Sequence, residues 1–382
     1  MRKIWLVLAC MMMVCTAAVS RAEDTWMFVT NVGKGDAVFC GVGDSVCLID
    51  TGYPYARGRI LAAMEALDID HLDAVFVTHT DKDHVGGLDW LAQSAIPVDT
   101  WYASAMYMDY KEKKHPAYLA AKSRGQSIVW LKAGDQVTLG CLSLSVLGPM
   151  QMAEDKDDNN SLVMMLESED GRILLCGDME TPEEDTILDT GVSLTADVLK
   201  VGNHGDGDAT GKAFAEAVRP RLSVVSTSAA EKPGTPSEKV VRRLSKLGSE
   251  VVSTEDTGLG VYVHLLSGRI TCEGWDVQET AYTVRILSVD PDTDTVVLKN
   301  DGTAPAELTN WYLYSSRGEE MFIFPEETYL AAGATLTVGT QSTGKATDLV
   351  WQEKSVIHAK KSDTISLYDR YGTLRDAASN GL

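Results

Sequence analysis

Short apolar runs, each closed by glycine or by a polar cluster, recur through the first two thirds of the chain. Between residues 26 and 52 they follow so closely that they read as successive strands of one sheet: Met27-Phe28-Val29, then the run 33–39 with its glycines Gly33 and Gly35, then Val46-Cys47-Leu48-Ile49. Ile60, Leu61, Met64 and Leu67 recur at helical spacing, and residues 72–77 return to a buried strand. Leu88-Asp89-Trp90-Leu91 predicts a helix that stops before Pro97, and residues 139–147 alternate as a strand. Residues 162–166 and 173–176, joined across Asp170-Gly171, predict a hairpin. Thr181 as N-cap, Pro182 in the first turn and Glu184 as reciprocal partner predict a helix with a capping box. Strands at 196–201 and 222–226, a helix at 237–247 and a hairpin over 258–270 complete the series. Strand and helix in alternation predict an α/β domain, a mixed sheet with helices outside it. From residue 282 the pattern changes to short alternating strands, which predicts an all-β sandwich. The expected division is 23–273 for the first domain, 274–281 for a linker and 282–382 for the sandwich, with few contacts across the boundary.

Chemistry concentrates in one stretch. His79, Asp81, Asp83 and His84 lie within six residues, directly after the buried run 72–77 and before Gly86-Gly87. Imidazole and carboxylate at that density on a loop at a strand's end suit divalent metals. The alternative is a polar loop with two solvated histidines. The hairpin of 162–176 would bring Asn160 and Asp178 to one sheet edge, and residues 196–205 repeat the pattern of a buried strand ending in a ligand, His204. Asp50 closes another strand, where it either orients a metal ligand or caps the next turn.

The stretch resembles the first metal motif of the metallo-β-lactamase superfamily, His-x-His-x-Asp-His, with Asp81 where the second histidine usually stands. With Gly86-Gly87 after it, and the runs 32–39 and 48–52 before it, it is similar to the soluble hydrolase domain of competence proteins of the ComEC/Rec2 type. The resemblance implies an αββα metallo-β-lactamase sandwich holding two divalent metal ions, Zn or Mn. His79 and Asp81 would hold one ion and Asp83, His84 and His204 the other, with Asp178 bridging them. Asp83 would be the catalytic carboxylate, Asp50 would brace the loop, and water or Asn160 would complete the first site. Asn203, Thr235, Asp206 and Asp208 depart from the residues usual at their positions. Residues 296–303, 308–313, 322–325, 330–333 and 363–369 together resemble a lamin-tail domain, which implies an immunoglobulin-like sandwich with an accessory or binding role, such as contact with a cell-surface partner.

The remaining features bound where such a chemistry operates. Arg2 and Lys3, an apolar run and a small-residue ending at Ala22 predict a secretory leader over residues 1–22, or, uncleaved, an amino-terminal anchor. A secreted or extracytoplasmic location follows, and no other stretch of the 382 residues is apolar enough to form a transmembrane channel. Losing Arg2, Lys3 and Arg21 with the leader would take the formal charge from -21 to -24. So acidic a chain repels nucleic acid at long range, and a DNA substrate must be held by the metals and a few cations, Lys111, Lys113, Lys114 and Lys200. A small ester (a lactone, phosphorylcholine or a β-lactam) needs no such cations, and a surface-binding protein with a degraded hydrolase domain needs no metal. Cys40, Cys47, Cys141, Cys176 and Cys272 are scattered among apolar strands, as core residues are, although Cys40 and Cys47 could bridge.

Overall fold

The computed structural model describes residues 24–107, 112–153, 157–277, 283–341, 344 and 346–381. The expected leader, Lys111 and the second half of the expected linker lie outside the described residues.

Two mixed sheets face each other in the first domain. One has eight strands, running from Arg269–Trp275 and Gly260–Leu266 through Thr25–Thr30, Val38–Val42, Ser45–Ile49, Leu72–Val77 and Val98–Ser104 to Ile128–Leu131. The other has seven, from Glu250–Ser253 through Leu222–Val225, Val198–Lys200, Gly171–Leu175, Val163–Ser168 and Leu142–Gly148 to Gln136–Leu139. Their central strands are buried on both faces, and the period of two decides which core each side chain joins. In Thr25–Thr30, Trp26 and Phe28 pack under the helices Arg57–Ala66, Leu88–Gln93 and Pro116–Ser123, whereas Met27 and Val29 pack between the sheets. Met164, Leu166, Ile173 and Leu175 meet them from the second sheet. Val163, Met165 and Leu174 turn the other way, against Thr181–Asp189, Lys212–Val218 and Glu238–Lys246. The result is the αββα arrangement, with three buried layers of side chains.

Two local expectations change. The strand expected from residue 33 begins only at Val38, because residues 33–37 leave the sheet as a loop that reaches the metal-loop stretch. A Cβ on Gly35 would stand 2.7 Å from the carbonyl oxygen of Asp83, so only glycine permits that approach. The capping box at Thr181 does not form. Thr181 Oγ1 donates to the Asp208 carbonyl at 2.7 Å and Glu184 accepts from Gly211 N at 2.7 Å, so tertiary partners claim both side chains. Cys40 and Cys47 face each other across adjacent strands as free thiols.

The second domain is a sandwich of two four-stranded sheets, Val284–Asp290, Thr295–Asn300, Thr335–Thr340, Leu349–Trp351 against Met321–Ile323, Tyr312–Ser315, Thr364–Tyr368, Leu374–Ser379. Trp311, Leu298, Leu313, Phe324 and Leu367 fill its core. Contrary to the sequence expectation, contacts across the boundary are many. The fully buried Tyr312 donates its hydroxyl to the Tyr55 carbonyl at 2.7 Å. Tyr53, Tyr55, Tyr368 and Tyr312 form a column of stacked rings with centroids 5.1, 5.8 and 5.0 Å apart. Gly58 and Gly372 meet backbone to backbone: a Cβ on Gly58 would lie 2.3 Å from Gly372 N. Arg370 pairs with Glu65 at 3.3 Å, and Lys82 pairs with Glu319. The sequence pattern showed a change of composition, but composition carries no information about docking between the two parts.

Candidate metal centre

Strand ends from both sheets build the site. Leu72–Val77 stops at Thr78, and the chain turns into the short helix Lys82–Val85. Thr51 ties that helix to the neighbouring strand, its N and Oγ1 both donating to the His84 carbonyl at 2.7 and 3.1 Å. On the facing sheet, Gly171–Leu175 and Val198–Lys200 pair in parallel, so the loops after them carry Asp178 and His204 to the same edge. Asn203 and His204 both take left-handed backbone (φ 44° and 52°), a conformation costly for residues other than glycine and frequent at functional sites.

Asp83, His84, Asp178 and His204 each bring one ligand-type atom within 4.8 Å of the others, and so do His79, Asp81 and Asp158. His84 Nε2 stands 3.2 Å from Asp178 Oδ1, and His204 Nε2 stands 3.1 Å from Asp178 Oδ2 and 3.5 Å from Asp83 Oδ2. His79 Nε2 is 4.0 Å from Asp81 Oδ2. The rings of His79 and His84 lie 4.2 Å apart and those of His84 and His204 5.4 Å apart, which joins the two groups into one centre.

Each imidazole is anchored through Nδ1. His84 Nδ1 meets Asp50 Oδ2 at 2.7 Å, and His204 Nδ1 meets the Ser226 carbonyl at 2.9 Å. His79 Nδ1 lies 3.0 Å from Thr78 Oγ1 and 3.2 Å from Ser161 Oγ. Thr78 Oγ1 already donates to Asp50 Oδ2, so toward His79 it can only accept, which places the ring proton on Nδ1. The consequence is that His79 Nε2, His84 Nε2, His204 Nε2 and Asp178 Oδ1 are buried, point into one space and have no hydrogen-bond partner among the described residues. Buried polar atoms are rarely left so, and three imidazole nitrogens with carboxylate oxygens are a donor set that fits divalent cations.

The charges in the centre hold one another. Burial pulls the His84 imidazole down, yet Asp178 and Asp50 outweigh it and keep it well above its ordinary value. His204 is raised against its burial by Asp178 and Asp83, while burial and His84 together lower His79. Burial would raise Asp178, but His204 and His84 hold it well below the usual carboxylate range.

The other sequence candidates fall in different places. Asp50 reaches the loop, accepting from Thr78 N at 2.8 Å as well as meeting His84, and does not cap its own turn. Asn160 turns away: its Oδ1 accepts from Ala153 N at 2.8 Å and its Nδ2 donates to the Ala153 carbonyl at 3.0 Å, so Asp158 stands beside His79 and Asp81 instead. Lys200 is buried, donating to Asp36 Oδ2 at 2.8 Å and to the Val201 carbonyl at 3.1 Å, and it is not available to a substrate. Sequence reasoning missed Asp36, which also accepts from Ser226 Oγ and sits 3.7 Å from His204 Nδ1. It missed Lys34, whose Nζ stands 3.0 Å from Asp83 Oδ2, and Asp157, which accepts from Thr80 and from Tyr107 at 2.7 Å. The available signal was a Lys-Gly-Asp turn inside an apolar sheet and a run of four Asp and Asn residues before Ser161.

Comparison with known proteins places this geometry. The chain is 28% identical over 246 residues to the ComE operon protein 3 of Bacillus subtilis, covering 60% of this chain and 31% of that protein. It is 24% identical over 274 residues to Recombination protein 2 of Haemophilus influenzae, covering 70% and 32%. It therefore spans about a third of the length of these curated relatives. Among solved structures, the metallo-beta-lactamase fold protein YhfI from Bacillus subtilis aligns over 66% of this chain and 100% of that one, at 12% identity and a TM-score of 0.42. The Lamin Tail Domain family matches residues 278–381. The family described as Metallo-beta-lactamase superfamily matches residues 30–229, just over half of the 382. With a buried histidine and aspartate cluster where its two sheets meet, the chain belongs to the metallo-beta-lactamase superfamily.

Proposed function

We propose that this chain is an exported, metal-dependent phosphodiesterase that cleaves nucleic acid strands. The observation that carries the metal is the convergence of three unpartnered Nε2 atoms and Asp178 Oδ1 in one buried space. His79, Asp81 and Asp158 would hold one divalent ion and Asp83, His84 and His204 a second, with Asp178, whose two oxygens face His84 and His204, as the proposed bridge. Such cations, when bound, supply Lewis acidity to a phosphoryl group and acidify water. The chain's own residues do the rest. Asp50, Ser226 and Thr78 hold the Nδ1 side of the three rings and so turn each Nε2 inward, and Lys34, 17% exposed beside Asp83, offers a cation at the rim for a phosphate oxygen. A hydrolase-type enzyme is what the fold supports, and the likeness to Recombination protein 2 of Haemophilus influenzae favours a nucleic acid substrate. Export rests on the amino-terminal pattern of residues 1–22.

The test is hydrolysis of a fluorescent single-stranded oligonucleotide by purified protein supplied in turn with Mn, Zn and Mg. Turnover that needs metal is the expected result. Inactivity in all three, with metal analysis showing the ions bound, removes the nuclease reading. A second reading, a small-ester hydrolase, is favoured by one feature. A cavity of about 480 Å³ opens between Asn159, Glu180, Glu183 and Asp208, and so acidic a wall repels phosphate and suits a neutral or cationic leaving group.

A further inference from the structure

The chain is strongly acidic, yet the helix Glu238–Lys246 carries four cations and one carboxylate. On Glu238–Lys246, Lys239, Arg242, Arg243 and Lys246 fall at positions i, i+3, i+4 and i+7 and share one face, while Val240 and Leu244 are buried in the core on the other. Lys212, on the adjoining helix Lys212–Val218, faces the same cleft of about 350 Å³, whose other lining residues are Glu216 and Leu247. Glu216 lies 3.8 Å from Lys212 and Glu238 lies 3.5 Å from Arg242, whereas Lys239 and Lys246 have no ion pair among the described residues. Like charges three and four apart weaken a helix, and this one carries four cations at that spacing in a chain of overall charge -21.

The cleft is also placed along a path to the metal centre. Ser237, the N-cap of the cationic helix, donates its N–H to the Gly205 carbonyl at 2.8 Å, next to His204. Lys239 is thus in the turn nearest the centre and Lys246 in the turn farthest from it. Seven residues of helix rise about 10 Å, so the cations form a short track rather than a single point.

We propose that this cleft binds the phosphate backbone of a single-stranded nucleic acid and leads it to the metal centre. The inference rests on the phosphodiesterase reading for the identity of the strand, and on the cleft's own charge for the contact. It replaces Lys200, which is buried, and the Lys113 and Lys114 pair, which lies on the turn Glu112–Lys114 away from this helix.

The experiment is fluorescence anisotropy of a 12-residue labelled oligothymidylate with the full chain in EDTA, between 20 and 200 mM salt, so that binding is read without hydrolysis. Each neutralised phosphate of a single strand contributes about -0.7 to the slope of log affinity against log salt, so four contacts give about -3. Lys239→Glu, Arg242→Glu and Lys246→Glu together are expected to lower affinity at least tenfold and flatten the slope, with a thermal melt showing that the protein still folds. Lys239→Gln, Arg242→Gln and Lys246→Gln are expected to fall between. Lys113→Glu with Lys114→Glu is expected to bind as the wild type does. Wild-type affinity and slope in the triple Glu variant would overturn the proposal. So would equal displacement of the oligonucleotide by poly(glycerol phosphate) at the same phosphate concentration, which would make the cleft a general polyphosphate site. Salt-sensitive binding without any hydrolysis in metal would leave the cleft standing and remove the nuclease reading. Hydrolysis indifferent to the triple variant would do the reverse.

Discussion

Asp158 and Asn160 are two residues apart, and only one of them faces the histidines. The helical turn Asp157–Asn160 presents alternate sides, so the amide of Asn160 closes the loop on Ala153 while the Asp158 carboxylate lies with His79 and Asp81. Asp178→Ala is expected to bring bound metal below one ion per chain, because the proposed bridge is lost with it, whereas Asp158→Ala should cost only the ion beside His79. Elemental analysis of dialysed protein decides this, and an Asp178→Ala protein that keeps two ions would contradict the bridging role. His79, Asp81, Asp83 and His84 were legible because four ligating side chains seldom crowd into six residues unless a cation draws them together. Asp36 was not legible. Its partners Lys200, Ser226 and His204 come from distant parts of the chain, and nothing in a Gly-Lys-Gly-Asp turn says which strand will lie opposite.

Elements were read well where burial dictates periodicity and poorly where polar side chains choose among partners. The hairpin of Val163–Ser168 and Gly171–Leu175 formed where the Asp-Gly turn put it, because a one-residue slip would exchange its two buried faces. The helix Thr181–Asp189 formed too, but Glu184 left the expected capping box for Gly211 N and became 1% exposed. Burial pushes that carboxyl from 4.5 up to about 7. A carboxyl with its folded value raised contributes stability that is whole below pH 4.5 and is lost as pH rises through about 7. Each unit is worth about 1.4 kcal/mol, so the loss is of order 3 kcal/mol at most. Glu184→Gln keeps an acceptor and cannot ionise. Its melting temperature is expected to exceed that of the wild type by more at pH 8 than at pH 5. A difference independent of pH would show that Glu184 ionises freely.

For the whole molecule, the sequence announced two parts and said nothing of how they meet. The sandwich rests on the 53–55 turn and on Arg57–Ala66, and the same turn packs against the metal loop: a Cβ on Gly86 would stand 2.4 Å from Pro54 Cδ. A protein shortened to residues 24–277 is therefore expected to fold and bind metal but to melt several degrees lower, since about 1 kcal/mol is worth roughly 2–4 °C in a domain of this size. Calorimetry giving the same melting temperature for both would show that the docking contributes nothing to the first domain.

The tyrosine column has an optical consequence. Tyr53, Tyr55, Tyr368 and Tyr312 stack with successive ring planes only 10°, 6° and 10° apart, two rings from each side of the boundary. Aromatic transitions held so nearly parallel at about 5 Å couple to one another, and side chains fixed in this way give the near-ultraviolet circular dichroism that loosely packed ones lose. The coupling between Tyr55 and Tyr368 exists only while the sandwich is seated. The difference between the spectrum of the intact chain and the sum of its separated halves is then a label-free measure of the seated fraction, one that can be followed while substrate, salt or metal is varied.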